Sequence, residues 1–177
     1  MPDEATEHRL GCTDCERLRS GPVAQPVNTV TSLAFIAAAG VVVAGARRNQ
    51  ARRGELLSYG GLLALVGVGS VAFHGPQPRG AKALHDWPIV GLLALTAATP
   101  VVRVARGRPP LPGWSRRRGL ALAATASAAA LAWVGGRTSA PTCDPDSVFQ
   151  LHGCWHVLAS VGFVEGAALL YDATGGS

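Results

Sequence analysis

Long apolar runs separated by short charged clusters set the pattern of this chain. Five such runs occupy residues 27–46, 56–74, 84–104, 119–135 and 149–171. Most are close to the ~20 residues that cross a bilayer, and the fourth is short. In lipid the backbone polar groups of a segment must be satisfied within it, so each run predicts a helix. Gly and Ala abound in these runs, which permits close helix packing. The expected fold is all-α: a polytopic membrane bundle of about five transmembrane helices, built as one domain. Residues 1–26 are polar and broken by Pro22 and Pro26. They read as an irregular but ordered segment outside the membrane, ahead of a transmembrane bundle over residues 27–177.

Charge orients that bundle. Hydrophobic residues make up 48% of the chain, and 16 Lys and Arg against 11 Asp and Glu leave a net charge of +5. The excess is not spread as a nucleic-acid footprint, and no nucleic-acid partner is expected. One cluster is Arg47, Arg48, Arg52 and Arg53, between the first two runs. The other holds Arg103, Arg106, Arg108, Arg116, Arg117 and Arg118, between the third and fourth. A five-span bundle puts both clusters on one side, and the positive-inside rule makes that side cytoplasmic. The N terminus is then outside and the C terminus inside. The first apolar run starts too late, and is too long, for a cleavable signal peptide. The Ala-, Arg- and Gly-rich composition suggests a bacterial source, hence the plasma membrane.

The candidate chemistry follows from five spans. His74 closes the second run, while His152 and His156 open the fifth. A helix turns every ~3.6 residues, so positions four apart share a face. His152 and His156 can point at one ion, and Ser70 and His74 are paired in the same way. Three imidazoles with an open fourth position are the ligand set of a catalytic zinc. His74, His85, Asp86, His152 and His156 all fall at the outer leaflet, where a four- or six-span count would separate them. Polar groups at such positions are costly, which favours function. Plainer readings stand beside this one. The histidines can be interfacial, Asp86 can serve the N-terminus of the third helix, and Ser70 can bond back to the preceding turn. Trp87 and Trp155 suit an interfacial belt. Glu165, deep in the last run, is open to pairing with a cytoplasmic arginine or to protonation. Cys12, Cys15 and Cys143 lie on the outer side, where disulfides persist. Cys12-x-x-Cys15 fits a redox or zinc pair, or a structural bridge. Cys154 sits about 200° around the helix from His152, a poor position for the same ion, though within reach of Cys12.

Several short pieces combine into a resemblance. They are Cys15-Glu16, Ala24-Gln25-Pro26-Val27-Asn28-Thr29, Ser70-Val71-Ala72-Phe73-His74, Asp86-Trp87-Pro88 and His152-Gly153-Cys154-Trp155-His156. Together they resemble the alkaline ceramidase family, in the superfamily that includes the adiponectin and progestin receptors. The resemblance implies zinc held by His74, His152 and His156, with a carboxylate nearby and Ser70 close to the metal. It also implies a disulfide between Cys15 and Cys143, clamping the N-terminal segment over the site. The family is typically seven-spanning, so this chain is a shortened member. The missing pair falls between the Asp86 helix and the last, which preserves sidedness but removes cavity wall. In the family the acid stands three residues before the proline, where this chain has His85. Asp86 is favoured as the acid, with His85 as a fourth ligand or proton shuttle. No calcium site is expected, because Gln25 replaces an acid and leaves only Asp14 and Glu16 nearby.

The expected activity is zinc-dependent hydrolysis of a ceramide-like lipid amide. A three-histidine zinc lowers the pKa of water to ~7 and polarises a carbonyl. Asp86 would move the proton, and Ser70 would steady the oxyanion. A receptor-like or regulatory membrane protein with structural zinc is the alternative. A transporter or channel component, hinted at by Glu165 alone, is a third reading. Membrane lipid is the expected partner, and small helices that enclose little volume make a homodimer plausible.

Overall fold

A computed structural model describes residues 9–171, so residues 1–8 of the N-terminal segment and 172–177 of the bundle lie outside the described residues. The described chain is helical: α1 (Pro26–Arg48), a 3-10 turn (Gln50–Arg52), α2 (Arg53–His74), α3 (Ala81–Ala105), α4 (Arg116–Gly135) and α5 (Leu151–Tyr171). All five helices are long and apolar enough to cross a membrane. The all-α, five-span expectation holds, and the differences lie at helix ends. The short fourth run gains its first turn from Arg116, Arg117 and Arg118, because the Ser115 side chain accepts the Arg118 N–H and caps the helix. The fifth run starts later than its apolar pattern. Gln150 donates to the carbonyls of Asp144 and Ser147 and holds residues 144–150 as a turn.

Helix α1 starts where its sequence directs. Pro26 occupies the first helical position, where its missing N–H costs nothing. The first free amides are capped from a distance: Glu16 accepts the N–H groups of Val27 and Asn28, each at 2.8 Å. A carboxylate there also opposes the positive end of the helix dipole.

Helix α1 is the centre of the arrangement. It packs against α2 on one side and α5 on the other, while α3 leans on α2 and α4 on α5. Phe35, Val42, Leu56, Tyr59, Leu63, Leu92 and Leu170 fill the common core. The outer helices α3 and α4 are only 17% and 11% buried over their apolar windows. Large apolar side chains such as Val101 and Leu131 therefore face outward. Lipid, not water, suits such a surface, and the five apolar helices suggest an integral membrane protein. An apolar cleft of about 440 Å³ remains between the two outer helices, lined by residues that include Tyr59, Thr96, Trp133, Trp155 and Phe163.

One glycine sets the spacing of α2 and α3. A Cβ at Gly69 would stand 2.1 Å from the Leu84 carbonyl oxygen and 2.8 Å from His85 Cα. The two backbones can touch here only because the side chain is absent.

The N-terminal segment closes one end of the bundle. The Cys15–Cys143 disulfide, with Cα atoms 5.4 Å apart, ties it to the α4–α5 loop, as the resemblance implies. Backbone bonds run alongside: Cys15 N–H to Gly136 O, Thr138 N–H to Thr13 O and Gln25 N–H to His74 O. Arg17 and Asp146 add an exposed pair at 2.6 Å, which holds the Asp146 carboxyl below its usual range.

Candidate metal centre

Three helices and the closing segment build the site. His74 ends α2, and His152 and His156 occupy the first turns of α5, one helical turn apart. All three are buried. Their ring centroids form a near-equilateral triangle with sides of 5.1, 5.0 and 4.7 Å. One ligand atom from each lies within 4.8 Å of the others, so the triad can hold a metal ion.

The hydrogen-bond network assigns the tautomers. Gln25 donates through Nε2 to the carbonyls of Gly11 and Glu16. Its Oε1 therefore accepts, and the partner is His74 Nδ1 at 2.7 Å. That puts the proton on Nδ1 and the lone pair on Nε2. His156 follows the same logic. Ser32 donates its single hydroxyl proton to Asn28 O at 2.6 Å. Thr31 Oγ1 stands 2.9 Å from Val27 O and 3.0 Å from His156 Nδ1. With its proton on a carbonyl, the Thr31 hydroxyl accepts from Nδ1 and leaves the His156 Nε2 lone pair free. Fixing a ligating histidine through its other nitrogen is the normal support for a metal.

What remains unpartnered is informative. Among the described residues, His74 Nε2, His156 Nε2, His152 Nδ1, Ser70 Oγ and both side-chain atoms of Asn28 are buried without a hydrogen bond. Buried polar atoms are rarely left this way. A cation answers the Nε2 lone pairs of His74 and His156, while His152 Nδ1 faces the Asp14 carboxylate at 3.4 Å. The donor set therefore fits a metal. Imidazole suits zinc, copper, iron or nickel alike.

Asp14 is the carboxylate at this triad. Its Oδ1 lies 3.4 Å from His152 Nδ1, and its Oδ2 lies 3.9 Å from His74 Nδ1. Arg137 donates to Oδ1 at 2.9 Å, across a backbone bridge that pairs the two residues. Burial pushes the Asp14 carboxyl up to about 6, against the pull of Arg137. Glycine again allows the approach, since a Cβ on Gly136 would stand 2.4 Å from His152 N.

Asp86 is placed differently from the sequence expectation. It lies in the second turn of α3 and is half exposed, bonded to Lys82 and, at 2.7 Å, to His85 Nδ1. His85 stacks on Phe73, with its ring 6.2 Å from that of His74. Neither belongs to the group of mutually close ligand atoms among the described residues. The physical reason is the helix start: α3 begins at Ala81, after Gly80 with φ 84°, and this phase turns Asp86 toward Lys82 one turn earlier. Ser70 is fully buried one turn before His74. Cys12 and Cys154 are free thiols. Trp155 does more than mark an interface, since its ring lies 5.2 Å from His152 and 5.1 Å from His156. Glu165 Oε2 is buried without a hydrogen bond.

Sequence reasoning passed over Asp14, Gln25, Thr31 and Arg137 as site residues. Two signals pointed toward them: Asp14 adjoins the bridging Cys15, and Gln25 stands just ahead of the α1 start. No protein family, curated protein or solved structure matches this chain.

Proposed function

We propose that this chain is a zinc-dependent integral-membrane hydrolase of a ceramide-like lipid amide, a shortened relative of the alkaline ceramidases. The reading places it in a bacterial plasma membrane with the triad near the outer face. One observation carries it: three buried imidazoles 4.7 to 5.1 Å apart, with unpartnered ring nitrogens, beside a buried carboxylate. A zinc ion in a three-histidine set supplies a Lewis acid and brings the pKa of water to about 7.

The chain's own residues supply the remainder. Gln25 and Thr31 keep the Nδ1 protons of His74 and His156 in place, so both Nε2 atoms face inward. Asp14 steadies His152 and, as the buried acid beside the triad, takes the proton role that sequence assigned to Asp86. Ser70 offers its hydroxyl to the oxyanion of the cleaved carbonyl. The apolar cleft reaches Trp155 beside the histidines and accommodates an acyl chain entering from lipid. Metal analysis of the purified protein beside His152→Ala, with an assay of fatty-acid release from ceramide in mixed micelles, tests the reading. We expect one zinc per wild-type chain, none in the variant, and release only from the former. No release from any acyl amide or ester at full zinc occupancy would refute it.

A second reading keeps the zinc structural, in a receptor-like or regulatory membrane protein. The exposed, Lys82-bonded position of Asp86 favours it, because the acid expected at an open coordination position is turned away. Loss of turnover in Asp14→Asn with zinc retained decides for the enzyme.

A further inference from the structure

A second recess opens at the opposite end of the bundle. It holds about 400 Å³ between the start of α2, the end of α3, the loop after α3 and the end of α5. From Arg53 to His74, α2 rises roughly 33 Å at 1.5 Å per residue, so this recess is remote from the histidines. Nothing in the proposed hydrolysis uses it.

Its chemistry is that of an anion site. Arg103, near the end of α3, is buried at 6% exposure and lines the recess. Its Nε donates to the Pro109 carbonyl at 2.7 Å, which holds the guanidinium in one orientation. Its Nη1 is buried and has no hydrogen-bond partner. A guanidinium fixed this way at the edge of an apolar layer, with a free N–H, is unsatisfied. Arg52, Arg106 and Arg108 line the same recess. Among the described residues the one carboxylate on its wall is Glu55, and both of its oxygens accept from Arg52 Nη1 at 3.1 Å. Among the described residues, four arginines on the wall thus face a single carboxylate, which is already bonded to Arg52. Ser58 adds a hydroxyl. Arginines that serve only topology extend into water. A buried arginine with an open fork, flanked by two more, presents the donor geometry that phosphate oxygens match.

We propose that this recess binds a phosphate group, and that at the polar end of two membrane-crossing helices its carrier is the headgroup of an anionic phospholipid. The full chain would be studied by native mass spectrometry from detergent, titrated separately with phosphatidylglycerol, phosphatidylcholine and inorganic phosphate. We expect one phosphatidylglycerol to bind at least tenfold more tightly than phosphatidylcholine. Arg103→Gln should abolish that preference. Because Arg103 also secures Pro109, the exposed double variant Arg106→Gln with Arg108→Gln provides a test that leaves this contact intact, and it should weaken binding about tenfold. The control Arg47→Gln with Arg48→Gln, whose side chains are not on the recess wall, should leave binding unchanged. Tight binding of inorganic phosphate that displaces the lipid would keep the site and assign it to a soluble phosphate. Equal affinity for both lipids with no phosphate binding would overturn the proposal. So would equal loss in the control, since diffuse surface charge would then explain the preference. None of these readouts depends on hydrolytic activity or on zinc.

Discussion

Gln25 uses both ends of its amide, donating to two carbonyls and accepting from His74, and no other residue type does both in that space. Gln25→Leu should free the His74 ring and weaken zinc retention by about 10- to 100-fold, measured by competition with a chelator. Gln25→Glu keeps the acceptor but turns a carboxylate on the Gly11 and Glu16 carbonyls, so it should not rescue affinity. Asp14 and Asp86 separate just as sharply. On the proposed chemistry, Asp14→Asn should lower kcat by about 10²-fold or more, whereas Asp86→Asn, exposed beside Lys82, should stay within a few-fold of wild type. The reverse order would return the proton role to the acid favoured from sequence. The triad was legible because His152 and His156 repeat at helical spacing and His74 ends a run of the right parity. Asp14 was not, because it lies in an irregular segment without periodicity and meets Arg137 across 123 residues of chain. Spacing rules see along a helix; they do not see which loop folds back over it.

Helices and their connections carry a different set of consequences. The apolar runs were legible as helices because lipid leaves a backbone no other choice, but the helix ends answer to capping by Ser115, Glu16 and Gln150, which hydropathy does not report. The strap across the site end is the element most open to test. Mass spectrometry after alkylation without reduction should find Cys12 and Cys154 modified, and all four cysteines modified after reduction. A free Cys143 would contradict the clamp. In soluble chains a disulfide closing a loop of ~100 residues stabilises by about 4.7 kcal/mol; helices that remain inserted in lipid when the protein loosens make the effect smaller here. Cys143→Ser should therefore lower Tm by several degrees and, by releasing Asp14 beside Cys15, also weaken zinc retention. Helix spacing offers a cleaner comparison. At Gly69 an alanine meets the Leu84 carbonyl, and forcing the backbones apart costs about 1–3 kcal/mol. Gly61→Ala, with no neighbour within 4 Å of its Cβ, is the matched control and should leave Tm unchanged.

At the scale of the whole molecule, histidines and arginines occupy opposite ends of the same helices. Helix α2 begins at Arg53 and ends at His74, so the two chemistries are held apart by the length of one helix long enough to cross a membrane. On the proposed membrane placement, two independent arguments bear on the direction of that axis. Both arginine clusters, at the α1–α2 and α3–α4 connections, fall at one end and call for the cytoplasm. The Cys15–Cys143 disulfide falls at the other end and calls for an oxidising compartment. Neither argument uses the other's residues, and they agree. On the proposed membrane placement, five crossings would put residues 9 and 171 on opposite sides. The test needs one thiol at each end. With Cys154→Ser, Cys12 is the remaining free thiol, and a membrane-impermeant maleimide added to intact spheroplasts should label it. With Cys12→Ser added and Arg106→Cys introduced in the arginine-bearing loop, labelling should require lysis. Labelling of Cys12 only after lysis would put the disulfide in a reducing compartment and the arginines outside. The chain would then violate the charge rule and the redox rule at once, and a lipid amide in the outer leaflet could no longer reach the triad.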